Sequence, residues 1–149
     1  MEVTSQIHQQ IKDDIKQAMK NKDTAKRDVL RSLDSEIKNA QIENNQQPLT
    51  DEQVIEVLSR IEKKRNDSIA QYQEAERQDL VATEQEELSV VQAYLPKKLS
   101  SEKLRDIVTQ VKEEQSLNEF GPLMKAVMAK VKGKADGNQV KQIVNEALS

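Results

Sequence analysis

The 149-residue chain carries 23 lysines and arginines against 26 aspartates and glutamates, and 33% of its residues are charged. The net charge of −3 by itself argues against a nucleic-acid binder, and the absence of cysteine excludes disulfides and thiolate chemistry. No uncharged run approaches the roughly 20 residues that cross a bilayer, so we predict a cytoplasmic protein with neither a membrane segment nor a signal peptide.

The composition is typical of helical proteins. Lysine, glutamate, glutamine, alanine and leucine dominate, whereas glycine, proline and aromatic residues are scarce. This mixture favours helix at nearly every position, and no strand pattern stands against it. The sequence therefore predicts an all-α protein whose 36% of apolar residues can form one modest core or two small ones.

Four helices are predicted in the first two thirds of the chain. Isoleucines at helical spacing mark the first, and the second ends in the polar loop ENNQQPLT at residues 43–50. A third, long helix starts at about Asp51 after a capping sequence, and the fourth ends before Pro96 because proline disfavours helical geometry in the residue before it. Short links between four helices predict an antiparallel bundle domain over residues 1–96.

A charged residue interrupts the apolar stripe of the third helix. Arg65 stands where an inward-facing residue is expected. A buried or half-buried arginine usually pairs with a carboxylate, which predicts an ion pair with Glu84 or Glu87 of the fourth helix. The alternative is a second anion-binding groove formed by Lys64 and Arg65.

A small C-terminal three-helix domain is predicted over residues 97–149. A serine at 100 or 101 can cap its first helix. Charge divides unevenly at this boundary, because residues 1–96 hold 13 basic and 19 acidic residues whereas residues 97–149 hold 10 and 7. The mildly basic tail indicates a second module.

All three glycines lie in one segment of this tail, GPLMKAVMAKVKGKADG, and we expect Gly121, Gly133 and Gly137 to shape its turns. The residues from Gly133 to Gly137 link two helices, and the start of the last helix could offer free amides to a phosphate. Asp136 weighs against that site because its carboxylate would cap those amides. The favoured interpretation is a helix-to-helix corner, with Gly133 as a left-handed helix stop.

The same segment is rich in lysine and has no acid before Asp136. Clustered ammonium groups displace counterions from phosphates, which indicates RNA binding. Lysines near a helix C-terminus also interact favourably with its dipole, so a purely structural role is the alternative. The candidate RNA-binding residues are Lys125, Lys130, Lys132, Lys134 and, in the last helix, Lys141.

Three motifs, KKRNDSI at 63–69, YLPKKLS at 94–100 and the glycine-framed segment followed by VKQIV, resemble the GatB/YqeY family. The resemblance covers essentially the whole chain. Pro122 departs from the small polar or basic residue that is common there, but proline is tolerated in a first helical turn.

The resemblance implies a helical bundle joined to a tail similar to the C-terminal domain of the B subunit of tRNA-dependent amidotransferases. In that enzyme the tail helps to hold mischarged tRNA, while the glutaminase and kinase chemistry belongs to other domains. The implied class label is carbon–nitrogen ligation with glutamine as amido-N donor. By this analogy the chain is an accessory protein that binds tRNA or other structured RNA.

Independent catalysis has little support in the sequence. His8 is the only histidine, lies on a polar stretch of the first helix and is expected to face solvent. No Glu-x-x-His pair exists, since Ser5 stands three residues before His8, and no serine lies in a glycine-framed elbow. We therefore predict no catalytic residue, no metal site and no cofactor.

Two functions remain from the sequence. The first is a non-catalytic protein that binds structured RNA through phosphate contacts and assists amidation of aminoacyl-tRNA, alone or with a protein partner. The second is a protein–protein interaction module whose lysines only keep the tail soluble. Base stacking is not expected, because Tyr72, Tyr94 and Phe120 lie on apolar stripes or at helix junctions.

Overall fold

The computed structural model describes residues 4–131 and 133–149. Within these residues the protein is helical and contains no strand, which confirms the all-α prediction. The helices are α1 (Gln6–Lys20), α2 (Thr24–Glu43), α3 (Asp51–Glu74), α4 (Gln78–Gln92), α5 (Ser101–Gln115), α6 (Phe120–Val131) and α7 (Gly137–Leu148).

The chain divides into two compact units, Met1–Leu95 (unit 1) and Pro96–Ser149 (unit 2). Each unit has its own cluster of buried apolar residues, as expected for a chain whose apolar content suffices for two small cores. Among the described residues, no helix is long and apolar enough to span a membrane.

Unit 1 is a bundle built from two helical hairpins. Helix α1 packs on α2 and α3 packs on α4, while α2 contacts both helices of the second hairpin. Fully buried leucine and isoleucine side chains fill the interior, and each contributes about 1.5–3 kcal/mol relative to an exposed position. The largest are Ile11, Leu30, Leu33, Ile37 and Leu58.

Side-chain caps fix the starts of the bundle helices. The predicted capping box of α3 is present, because Thr50 Oγ1 accepts from Gln53 N at 3.2 Å and Gln53 Oε1 accepts from Thr50 N at 2.9 Å. Ser5, the cap of α1, donates through Oγ to Asp51 Oδ1, and this hydrogen bond lowers the pKa of Asp51. The starts of α1 and α3 are thus tied together.

Unit 2 packs three helices around one apolar centre. Leu104 and Val108 of α5, Leu123 and Val127 of α6, and Val140 of α7 are fully buried. Ser100 caps α5 by accepting from Lys103 N, and Pro122 lies in the first turn of α6, where proline is tolerated.

Helix α5 ends at a residue with a left-handed backbone. Ser116 has φ 51° and ψ 43°, a conformation that costs most L-residues about 1–2 kcal/mol but not glycine. We expect Ser116→Gly to raise the free energy of unfolding by about 0.5–1 kcal/mol, measured by urea denaturation. The matched change Ser89→Gly, inside α4, should lower it by about 0.5 kcal/mol. A destabilised Ser116→Gly variant would contradict this account.

Candidate nucleic-acid interface

Helix α6 carries lysines and no acid. Its buried face is formed by Leu123, Val127 and Val131, whereas Lys125 and Lys130 are exposed. At about 100° per residue these two lysines lie roughly 140° apart around the helix, so they form two patches and not one stripe.

The remaining candidate lysines lie beyond α6. Lys134 is exposed in the turn that follows, and Lys141 is exposed in α7. Lys132 lies outside the described residues. Lys130 and Lys134 therefore flank the end of α6, while Lys125 is near its middle and Lys141 is on the neighbouring helix.

The corner between α6 and α7 has the geometry that the favoured interpretation requires. Gly133 has φ 76°, and Lys134 N donates to Val131 O at 2.8 Å, which closes α6 with a left-handed stop. Asp136 caps α7, because its Oδ1 accepts from Asn138 N at 3.0 Å. The carboxylate stands where a phosphate would bind these amides, which weighs against a phosphate site at the start of α7.

The other two glycines have ordinary backbone angles and open space around them. Gly121 and Gly137 lie in the first turns of α6 and α7, and neither has a positive φ. A Cβ placed on either glycine would meet no atom within 4 Å. Of the three glycines, Gly133 is thus the one whose backbone conformation favours glycine.

Two lysines that sequence reasoning did not select lie beside this corner. Leu99 N donates to Lys134 O at 2.8 Å, so the segment that carries the exposed Lys97 and Lys98 runs against the turn after α6. The YLPKKLS motif contained the signal, but the contact joins residues 35 positions apart in sequence. A linear pattern does not reveal such a pairing.

Arg65 is held by two carboxylates, as predicted. Its Nη1 lies 2.7 Å from Glu87 Oε2 and 3.1 Å from Glu84 Oε2. Lys64 and Arg65 line a groove between α2 and α3 that also contains Glu36. These three carboxylates offset the positive charge, which weighs against a second anion site there.

The expectation that His8 faces solvent is wrong. Its side chain is 2% exposed, and Nε2 donates to Asp34 Oδ1 at 2.7 Å. Positions 8, 11, 15 and 18 follow helical spacing of three, four and three, so His8 shares a face with Ile11. The signal was present, but the polar neighbours of His8 masked it.

Basic side chains from two helices surround the carboxylate of Asp34. Lys38 Nζ lies 3.1 Å from Oδ2, and Lys12 Nζ lies 3.7 Å from Oδ1. Burial raises the pKa of Asp34, but the hydrogen bonds from His8 and Lys38 and the charge of Lys12 together lower it below its usual value. The cluster is thus a structural tie between α1 and α2.

The model of a family described as Yqey-like protein matches residues 8–148. The chain belongs to this YqeY-like family. The match runs from α1 to the end of α7, so it includes both units of this YqeY-like chain and the lysine-bearing corner.

Several curated relatives are named Altered inheritance of mitochondria protein 41, mitochondrial. The protein from Vanderwaltozyma polyspora is 35% identical over 85 residues, 57% of this chain and 46% of the relative. The protein from Eremothecium gossypii is 36% identical over 85 residues, with the same coverage. That from Pyrenophora tritici-repentis is 30% identical over 142 residues, 91% of this chain and 77% of the relative.

This YqeY-like chain thus spans about half the length of the first two relatives that it matches. Their name assigns those proteins to mitochondria. The cytoplasmic location of this chain stays a prediction.

Proposed function

We propose that this YqeY-like protein binds structured RNA, and tRNA in particular, through the lysines at and around α6. The observation that carries the proposal is an acid-free helix with exposed Lys125 and Lys130 that runs into a corner bearing Lys134. Lysine is a point charge that contacts phosphate without reading bases, so the expected recognition is by backbone and shape.

We further propose that unit 2 corresponds to the tail of the amidotransferase B subunit that the sequence motifs resemble. In this role the protein presents aminoacyl-tRNA to an amidating enzyme, which supplies the carbon–nitrogen ligase chemistry with glutamine as amide donor. Among the described residues, no cluster of three or more potential metal-ligating side chains is found, and the buried His8 is engaged by Asp34. In this proposal the chain itself contributes binding.

A titration of labelled tRNA, followed by fluorescence anisotropy, tests RNA binding. We expect the fourfold variant with alanine at 125, 130, 132 and 134 to bind at least about 10-fold more weakly at 0.1 M salt, because each lost phosphate contact removes counterion release. The matched control replaces four exposed lysines of unit 1 by alanine, namely Lys16, Lys20, Lys26 and Lys63. It makes the same change in net charge and should bind within about twofold of the unaltered protein.

Salt dependence gives a second readout. The logarithm of affinity should fall linearly with the logarithm of salt concentration. The slope should be shallower for the fourfold variant, called the α6 variant from here on, than for the control. Absence of tRNA binding at low salt, or equal binding by both variants, would refute the proposal. Recovery of one stoichiometric protein partner in that case would favour the protein-interaction function.

A further inference from the structure

Unit 2 has two chemically different ends. At the first end, called the lysine end, α5 and α7 begin and α6 stops. Two contacts hold this end together: Leu99 N donates to Lys134 O at 2.8 Å, and Gln139 Nε2 donates to Ser101 Oγ at 3.0 Å. Segments that are distant in sequence thus form one surface.

Lysines dominate the exposed side chains of this end. They come from the extended segment before α5, the first turn of α5, the end of α6 and the turn that follows it. The lysine end, as the structure describes it, comprises Lys97, Lys98, Lys103, Lys130 and Lys134.

Two acids, Glu102 and Asp136, lie among these lysines. Asp136 is engaged as the cap of α7, and Glu102 stands in the first turn of α5, where the helix dipole favours a carboxylate. Both acids therefore have local structural roles, and the net charge of the lysine end is positive.

The opposite end of unit 2 is acidic. It is formed where α5 and α7 stop and α6 begins, and Lys112 Nζ joins α5 to α7 there by donating to Ala147 O at 2.8 Å. Glu113, Glu114 and Glu119 are exposed at this end. Charge is thus separated along unit 2, which the net charge of the chain conceals.

We propose that the lysine end docks on the phosphates of a double-helical RNA stem, with Lys97, Lys98 and Lys103 contributing contacts in addition to Lys130 and Lys134. This inference rests on the proposed function. It adds three residues from outside the glycine-framed segment, and it names duplex RNA as the element that is bound.

The distribution of aromatic side chains favours a duplex over a single strand. Proteins that bind single strands stack bases on exposed aromatic rings. Both tyrosines lie in unit 1, and Phe120, 38% exposed, lies at the acidic end of unit 2. Among the described residues of unit 2, the lysine end carries no aromatic side chain, which suits the regular phosphate rows of a helical stem, whose deep major groove hides its bases.

A binding experiment on the full chain tests this inference. The probes are a labelled RNA duplex of about 16 base pairs and one of its strands, chosen without self-pairing. We expect the duplex to bind at least about fivefold more tightly than the strand. The triple variant Lys97→Ala, Lys98→Ala, Lys103→Ala should lose at least about fivefold in affinity for the duplex.

The matched control is Lys16→Ala, Lys20→Ala, Lys63→Ala, which removes the same charge from unit 1 and should bind within about twofold of the unaltered protein. Thermal unfolding of both variants separates lost contacts from lost structure, because exposed lysine substitutions should leave the unfolding midpoint nearly unchanged. A triple variant that keeps its unfolding midpoint and also keeps its affinity for the duplex would overturn the assignment of these residues.

The two proposals fail in different ways. If the α6 variant loses affinity while the triple variant binds like the control, the inference is overturned and the proposed function stands. If the strand binds as well as the duplex, the choice of a helical stem is wrong. If neither RNA binds the unaltered protein at low salt, both proposals fail.

Discussion

Leu123→Ala is expected to lower the free energy of unfolding of unit 2 by about 2–5 kcal/mol. Leu123 is fully buried in α6, the helix that contacts both α5 and α7. Shortening it leaves a cavity among tightly packed valines, including Val108 and Val127, which helix backbones can fill only in part. Urea unfolding followed by far-ultraviolet circular dichroism measures the loss.

The comparison for this prediction is Leu117→Ala. Leu117 is half-buried at the edge of the same core, so the change removes the same atoms but less buried area. We expect a loss of about 1 kcal/mol or less there. Equal losses at both positions would contradict the placement of Leu123 in the centre of the unit 2 core and Leu117 at its edge.

Asp34→Ala is expected to lower the free energy of unfolding of unit 1 by about 1.5–3 kcal/mol at neutral pH. The change removes the acceptor of the buried His8 and leaves Lys12 and Lys38 near each other without the carboxylate between them. The control is Asp28→Ala on the same helix. Its carboxylate is 65% exposed and pairs with Arg27 at the surface, so we expect less than about 1 kcal/mol.

The contribution of Asp34 to the free energy of unfolding should depend on pH in a defined direction. The pKa of this carboxyl is lower in the folded protein than its usual value of 3.8, so ionised Asp34 favours folding. Its contribution is complete above about pH 5 and is lost as the pH falls below about 4. Denaturation at several pH values should therefore show the free energies of unfolding of the unaltered protein and the Asp34→Ala variant converging in acid. A difference between them that grows in acid would contradict the assigned sign.

Local rules recovered much of this structure from the sequence. The capping box at Thr50, the left-handed stop at Gly133 and the cap at Asp136 each depend on residues within one turn, which a sequence displays directly. An ion pair of Arg65 with Glu84 or Glu87 was also predicted, because an arginine in an apolar stripe requires a carboxylate from the helix opposite, and the structure shows contacts with both.

The failures have physical causes. His8 was assigned to solvent because its neighbours in sequence are polar, yet a carboxylate from α2 compensates its burial. The contact of Leu99 with Lys134 depends on how α5 and α6 pack, so the neighbourhood of Lys97 and Lys134 could not be predicted from spacing alone. In both cases the environment of the residue depends on a partner that is distant in sequence.

The separation of charge along unit 2 also has a kinetic consequence. A body that is positive at one end and negative at the other is rotated by the field of a polyanion before the two surfaces touch. The lysine end would then arrive first and the acidic end would point away, which reduces unproductive encounters. The association rate constant should accordingly fall steeply with ionic strength, whereas dissociation should respond less.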